Sequence, residues 1–180
     1  MARQGRAPRR LLIVDGYNVI NARRSGDMDS YSLADAREKL ANDLMDYAGY
    51  SGQDVVLVFD AWMSDRITRT EEKRGAVTVV YTQKGEIADR YIERLCDELA
   101  SDIELHKLEV RVASSDALEQ TIVLGRGASR MSARELMFEM SQLRSDGIRR
   151  VLDKPVTRRA TIGERLSEDM WRRLDEMKKK

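Results

Sequence analysis

Four short apolar runs, each bounded by charged or polar residues, limit what this chain can fold into. Arg10-Leu-Leu-Ile-Val-Asp15 and Asp54-Val-Val-Leu-Val-Phe-Asp60 are continuously apolar inside, the pattern of strands buried on both faces. Ala76-Val-Thr-Val-Val-Tyr81 is a third strand, and Leu108-Glu-Val-Arg-Val-Ala113 a fourth that alternates. Between them the period becomes helical. Over 31–48, Leu33, Ala36, Leu40, Leu44, Tyr47 and Ala48 recur at three- and four-residue steps, and Gly49 and Gly52 supply the stop. A second helix is expected from about Glu86 to Ala100, with Ile87, Tyr91, Ile92, Leu95 and Leu99 on its apolar side. Strands alternating with helices predict an α/β fold, a three-layer α/β/α arrangement around a mostly parallel sheet.

The remaining segments are placed by local signals. Gly16 allows a tight turn after the first strand. Residues 61–75 lack periodicity and are expected to form a loop holding Trp62, Arg66, Arg69, Lys73 and Arg74. Asp116 to Leu124 suits a short helix closed by Gly125, and Ser132-Ala-Arg-Glu135 is a capping box opening a helix to about Arg144. From about Gly163 a basic amphipathic helix carries Leu166, Met170, Trp171, Leu174 and Met177. The 180 residues suit one domain, 11–146, between a basic arm, 1–10, and a basic helical extension, 147–180.

A formal net charge of +1 hides an asymmetry. Residues 1–10 carry four arginines and no acid, and 147–180 carry eleven Lys/Arg against six Asp/Glu, which leaves 11–146 at −8. Solubility alone accommodates this. So does a polyanion held by the ends and a metal held in the acidic centre. Cys96 is the only cysteine, which excludes an intrachain disulfide scaffold or a Cys-based zinc site and suits a reducing compartment. No apolar run approaches the ~18 to 20 residues of a membrane helix, and Leu11 to Val14 is too short for a signal-peptide core. The expectation is a cytoplasmic protein with no membrane partner; the sequence leaves its oligomeric state open.

The candidate chemistry lies in the acids. Asp15 ends the first strand, Asp60 ends the second, and Asp116 follows the fourth by three residues. In open parallel sheets ligands bind outside the carboxyl ends of the strands, so these side chains are expected to converge there. Glu86, Asp89 and Glu93, at i, i+3 and i+7, share one face of the expected helix. Taken singly, Asp15 fits a turn, Asp116 with Glu119 fits a helix N-cap, and Glu86 and Asp89 fit a first helical turn. Jointly those readings leave the placement at one sheet end unexplained. Two carboxylates ~4 Å apart repel by roughly 4 kcal/mol at an effective dielectric of 20, so a cluster calls for a cation. All-oxygen ligands select a hard ion, Mg²⁺ or Mn²⁺. His106, the only histidine, lies in a strand-like stretch without triad partners. Gly125-Arg-Gly127 lacks the third glycine of a dinucleotide fingerprint.

Five blocks in order then carry a resemblance: Leu12-Ile-Val-Asp-Gly-Tyr-Asn-Val-Ile20, Val56-Leu-Val-Phe-Asp-Ala61, Gly85-Glu-Ile-Ala-Asp-Arg-Tyr-Ile-Glu93, Val112-Ala-Ser-Ser-Asp-Ala-Leu-Glu-Gln120 and Gly127-Ala-Ser-Arg-Met-Ser-Ala-Arg-Glu-Leu136. From about 11 to 145 the chain resembles the YacP branch of the NYN, PIN-like nucleases. The resemblance implies a PIN-like sheet with the first strand central and an endoribonuclease site binding Mg²⁺ or Mn²⁺. It assigns the metal-binding and catalytic acids to Asp15, Asp89 and Asp116, a ligand- or water-orienting role to Asn18, and places Asp60, Glu86 and Glu119 nearby. It also implies messenger RNA as substrate and the ribosome as partner. On this reading Glu93 is an additional acid, Tyr17 stacks on a base or sits in the core, and Arg66, Arg69, Lys73, Arg126 and Arg130 either contact phosphates or form solvated surface. A non-catalytic RNA- or ribosome-binding module on the same scaffold is the alternative, and phosphomonoester hydrolysis a third reading.

Overall fold

A computed structural model describes residues 7–24, 32–60, 68–114 and 127–152. In chain order the elements are β1 (Arg9–Asp15), α1 (Gly16–Arg24), α2 (Leu33–Ser51), β2 (Asp54–Phe59), β3 (Thr70–Arg74), β4 (Val77–Tyr81), α3 (Ala88–Glu104), β5 (Leu108–Ala113), β6 (Ser129–Met131) and α4 (Ala133–Leu152). The strands form one six-stranded sheet in the order β3-β4-β2-β1-β5-β6. Every pairing is parallel except the antiparallel β3–β4 hairpin. Contacts group Met1–Gly147 into one unit and Ile148–Lys180 into a second, which lies largely outside the described residues.

The continuous apolar runs are explained by a core on each face of the sheet. Leu12, Val14, Leu57, Phe59 and Val79 pack with Val19, Leu40, Leu44 and Leu136 from α1, α2 and α4. Ile13, Val58, Val80, Val110 and Val112 pack on the opposite face with Ala88, Ile92 and Cys96 of α3. A strand with helices on both sides has no solvent face, so its apolar residues need not alternate. The result is the expected α/β sandwich with β1 in the middle. The β1-to-β2 crossover runs through α1 and α2 on one face, and the β4-to-β5 crossover runs through α3 on the other. The chain thus leaves in opposite directions around β1, which makes the carboxyl end of β1 the switch point.

Caps fix the helix ends where the sequence signals them. Ser32 Oγ accepts from the Asp35 N–H at 3.1 Å, and Gly52, at φ 66°, closes α2 by donating its N–H to the Ala48 carbonyl. The predicted capping box of α4 is reciprocal. Glu135 N–H donates to Ser132 Oγ at 3.1 Å, and Ser132 N–H donates to Glu135 Oε2 at 2.7 Å.

Several expectations are corrected. Gly16 does not make a turn with positive φ; it is the first residue of α1, a helix the sequence reading omits. A Cβ at Gly16 would run into the Phe59 ring, so the glycine gives room rather than a special dihedral. Residues 70–74, expected in a loop, form β3, which is wholly polar because it is an edge strand held by its ladder to β4 and a turn at Gly75, φ 62°. The helix expected from Glu86 starts at Ala88 and ends at Glu104, and the one expected to stop near Arg144 runs to Leu152. His106 is in the turn after α3, at φ 52°, not in a strand. The short helix at 116–124 and the one from 163 lie outside the described residues.

Candidate active site

Three carboxylates lie at the carboxyl rim of the sheet. Asp15 is the last residue of β1, Asp60 the first after β2, and Asp89 lies in the first turn of α3. α1 begins directly after Asp15, so its first amides turn back onto that side chain: the Asn18 N–H donates to Asp15 Oδ1 at 3.0 Å. Asp60 reaches across the rim and accepts the Ala88 N–H, capping α3 from a distant strand in place of Ile87, whose side chain makes no cap. This bond ties the start of the Asp89 helix to the end of β2.

The electrostatics record the convergence. Burial pushes the Asp15 carboxyl up to about 6; the Asn18 amide opposes that rise, and the charges of Asp89 and Asp60 add to it. Burial likewise raises Asp60, against the Ala88 amide and with the Asp89 charge. Asp15 therefore feels both of the other acids and Asp60 feels Asp89, and the half-buried Asp15 holds its negative charge at a cost. Among the described residues no three His, Cys, Asp or Glu side chains close around a single point. Asp15 and Asp89 form instead an open, oxygen-only set, which fits a hard divalent ion that keeps several of its waters. Asp116, the third expected ligand, lies outside the described residues, as do Glu119, Arg66 and Arg126. β5 delivers the chain to Ser114 beside the end of β1, where Val14 pairs with Ala113.

The other expected site residues are distributed as follows. Glu93 is half-buried one turn beyond Asp89 on α3. Asn18 is half-buried in the first turn of α1. Tyr17 packs edge-on against Phe59, ring centroids 5.2 Å apart, and its hydroxyl is 3.4 Å from an Arg37 nitrogen. Its ring belongs partly to the core, while it keeps a half-exposed edge at the rim. Lys73 and Arg130 are exposed on the two edge strands, β3 and β6.

Glu86 is not on α3, so the expected i, i+3, i+7 face reduces to Asp89 and Glu93. Its carboxylate, 8% exposed, takes Arg69 at 3.1 Å and Arg94 at 2.5 Å. Burial alone would push this carboxyl up, but the hydrogen bonds from Arg94 and Arg69 reverse that and hold it below the ordinary glutamate value. Arg69, expected at the RNA, is thus engaged with Glu86 and lies over the Tyr91 ring at 4.8 Å. The sequence reading misses Arg94 as its companion and Thr82, whose buried hydroxyl donates to the Glu86 carbonyl at 2.6 Å. Neither contact follows a helical or strand spacing, so no periodic signal reveals it.

Comparison with known proteins agrees with this fold. The YacP-like NYN domain family model matches residues 12–179, beyond the resemblance over about 11 to 145 read from the sequence. Uncharacterized protein YacP of Bacillus subtilis is 34% identical over 171 residues, 92% of this chain and 98% of that protein. Crystal structures of Rae1 (YacP) from Bacillus subtilis superpose with TM-scores of 0.66, at 32% identity over 94% of both chains, and 0.65, for a mutant, at 30% identity over 93% and 98%. The chain therefore belongs to the YacP-like NYN domain family.

Proposed function

We propose that this chain is a metal-dependent endoribonuclease that cuts messenger RNA in association with the ribosome. Membership of an NYN family supports a nuclease-type, RNA-related function. The observation that carries the reading is the mutual field of Asp15, Asp60 and Asp89 at the switch point of the sheet, with Asp15 raised to about 6. A retired site has no reason to keep carboxylates that repel one another, and this favours catalysis over a non-catalytic binding module.

In this mechanism Asp15 and Asp89, with Asp116, would hold Mg²⁺ or Mn²⁺. The bound ion supplies Lewis-acid polarisation of the scissile phosphate and a more acidic water. Asp60 keeps Asp89 in register by holding the Ala88 amide. The Asn18 amide orients the Asp15 carboxylate, and the Asn18 side chain orients phosphate or water. Metal dependence, messenger RNA and the ribosome enter with the family resemblance.

The test is cleavage of RNA, free and on translating ribosomes, in the presence of Mg²⁺. Asp89→Asn and Asp116→Asn, each shown to fold, are expected to lose cutting by at least the roughly 10- to 100-fold that loss of a group supporting a metal ligand costs. Wild-type-like cutting by both variants would end the proposal.

A further inference from the structure

We infer that Arg69 and Arg94, gathered on the ring of Tyr91, form a phosphodiester-binding subsite that holds the RNA strand beside the acidic site. The choice of RNA rests on the nuclease reading above; the geometry of the subsite does not. Arg69 and Arg94 both lie over Tyr91, at 4.8 and 5.5 Å from its centroid, and both hydrogen-bond one oxygen of Glu86. Two guanidinium groups on one ring repel each other, and the 8%-exposed Glu86 carboxylate between them neutralises only one of the two charges. Glu98 also acts on Arg94, and Glu71 and Glu98 on Tyr91, but both glutamates are exposed, so water screens their charges far more than it screens Glu86.

The donors decide the chemistry. Each guanidinium offers five N–H groups, and Glu86 takes only terminal nitrogens of both. Arg69 Nε is buried and has no hydrogen-bond partner among the described residues. A buried donor left unmade is costly, so this fork is set for an acceptor it does not have among the described residues. Two guanidinium groups, each planar and backed by one aromatic ring, suit the tetrahedral oxygens of a phosphodiester. The Arg94 side chain, 45% exposed, leaves access from solvent.

The position matches a strand crossing the rim. Glu86 lies two residues before Ala88, whose amide is bound by Asp60, and three before Asp89. Asp89 and Arg94 are five residues apart, roughly 140° around α3 at 3.6 residues per turn. The acids and the arginines thus sit on two flanks of the same helix, and the proposed strand runs from one to the other.

The test is the affinity of a short single-stranded RNA, followed by fluorescence anisotropy in EDTA so that nothing is cut. Arg94→Ala is expected to raise Kd about five- to tenfold and to flatten the slope of log K against log salt by about 0.7, the value for one neutralised phosphate on a single strand. Arg69→Lys keeps the charge but loses the fork, and is expected to weaken binding by a smaller factor. Unchanged affinity and slope in both variants, with or without a lower Tm, would make the cluster a structural clamp and overturn the inference. Inorganic phosphate binding as tightly as the RNA, with the same dependence on Arg94, would also overturn it. Because binding is read without cleavage, a wild-type protein that binds but never cuts RNA would count against the nuclease reading and leave this subsite standing.

Discussion

Asp15 is under two opposed demands. It ends the central strand, where burial disfavours its charge, and it faces Asp60 and Asp89, whose charges disfavour it further. Its carboxyl ionises near 3.8 in an unfolded chain and at about 6 in the fold, so the folded state binds this proton more tightly. The stability it contributes is fully present below about pH 4, declines as pH rises, and is gone above about 6. In EDTA, Asp15→Asn is therefore expected to be more stable than wild type at pH 7 by about 1–3 kcal/mol, with the gap closing near pH 4. Urea unfolding at both pH values checks this; an equal gap at both would remove the electrostatic account. Asp15 and Asp89 could be picked out of the sequence because an acid at a strand end or in a first helical turn has a positional signal. The roles of Asp60 and Glu86 could not. Asp60 caps a helix that begins 28 residues later, and the pairing of Glu86 with Arg69 and Arg94 depends on where β3 and α3 come to lie.

At the scale of elements, the buried strands and the long helices are written in apolar periodicity, and both faces of the sheet follow from it. α1 and β3 are not. α1 has nine residues, too few for a repeated pattern, with Val19 and Ile20 as its only fully buried apolar pair. β3 buries no side chain, so it exists by backbone pairing and its turn rather than by hydrophobicity. The close approach of α1 to β2 makes a further prediction. Gly16→Ala drives a methyl group into the Phe59 ring and is expected to cost about 1–3 kcal/mol in thermal or denaturant unfolding. Phe59→Leu in the same chain is expected to restore part of that loss. A Gly16→Ala protein as stable as wild type would show that α1 can shift without strain.

Across the whole molecule, charge distinguishes the parts. Residues 11–146 carry −8, while 1–10 and 147–180 are basic. A polyanion substrate meets repulsion from such a centre unless cations, from the protein or from solution, offset it. Removal of residues 153–180 is accordingly expected to weaken RNA binding and to reduce its salt dependence, by about 0.7 in log–log slope for each single-strand phosphate that the shortened chain no longer neutralises. Titration of Kd against KCl decides it, and an unchanged slope would assign RNA binding to the remaining 152 residues alone. The borders of the sheet differ in kind from its centre. One is the antiparallel β3, with Glu71, Glu72 and Lys73 all exposed, and the other is β6, three residues long. Such charged or abbreviated margins give a foreign strand little template to pair with, and the make-up of the margins themselves disfavours edge-to-edge association.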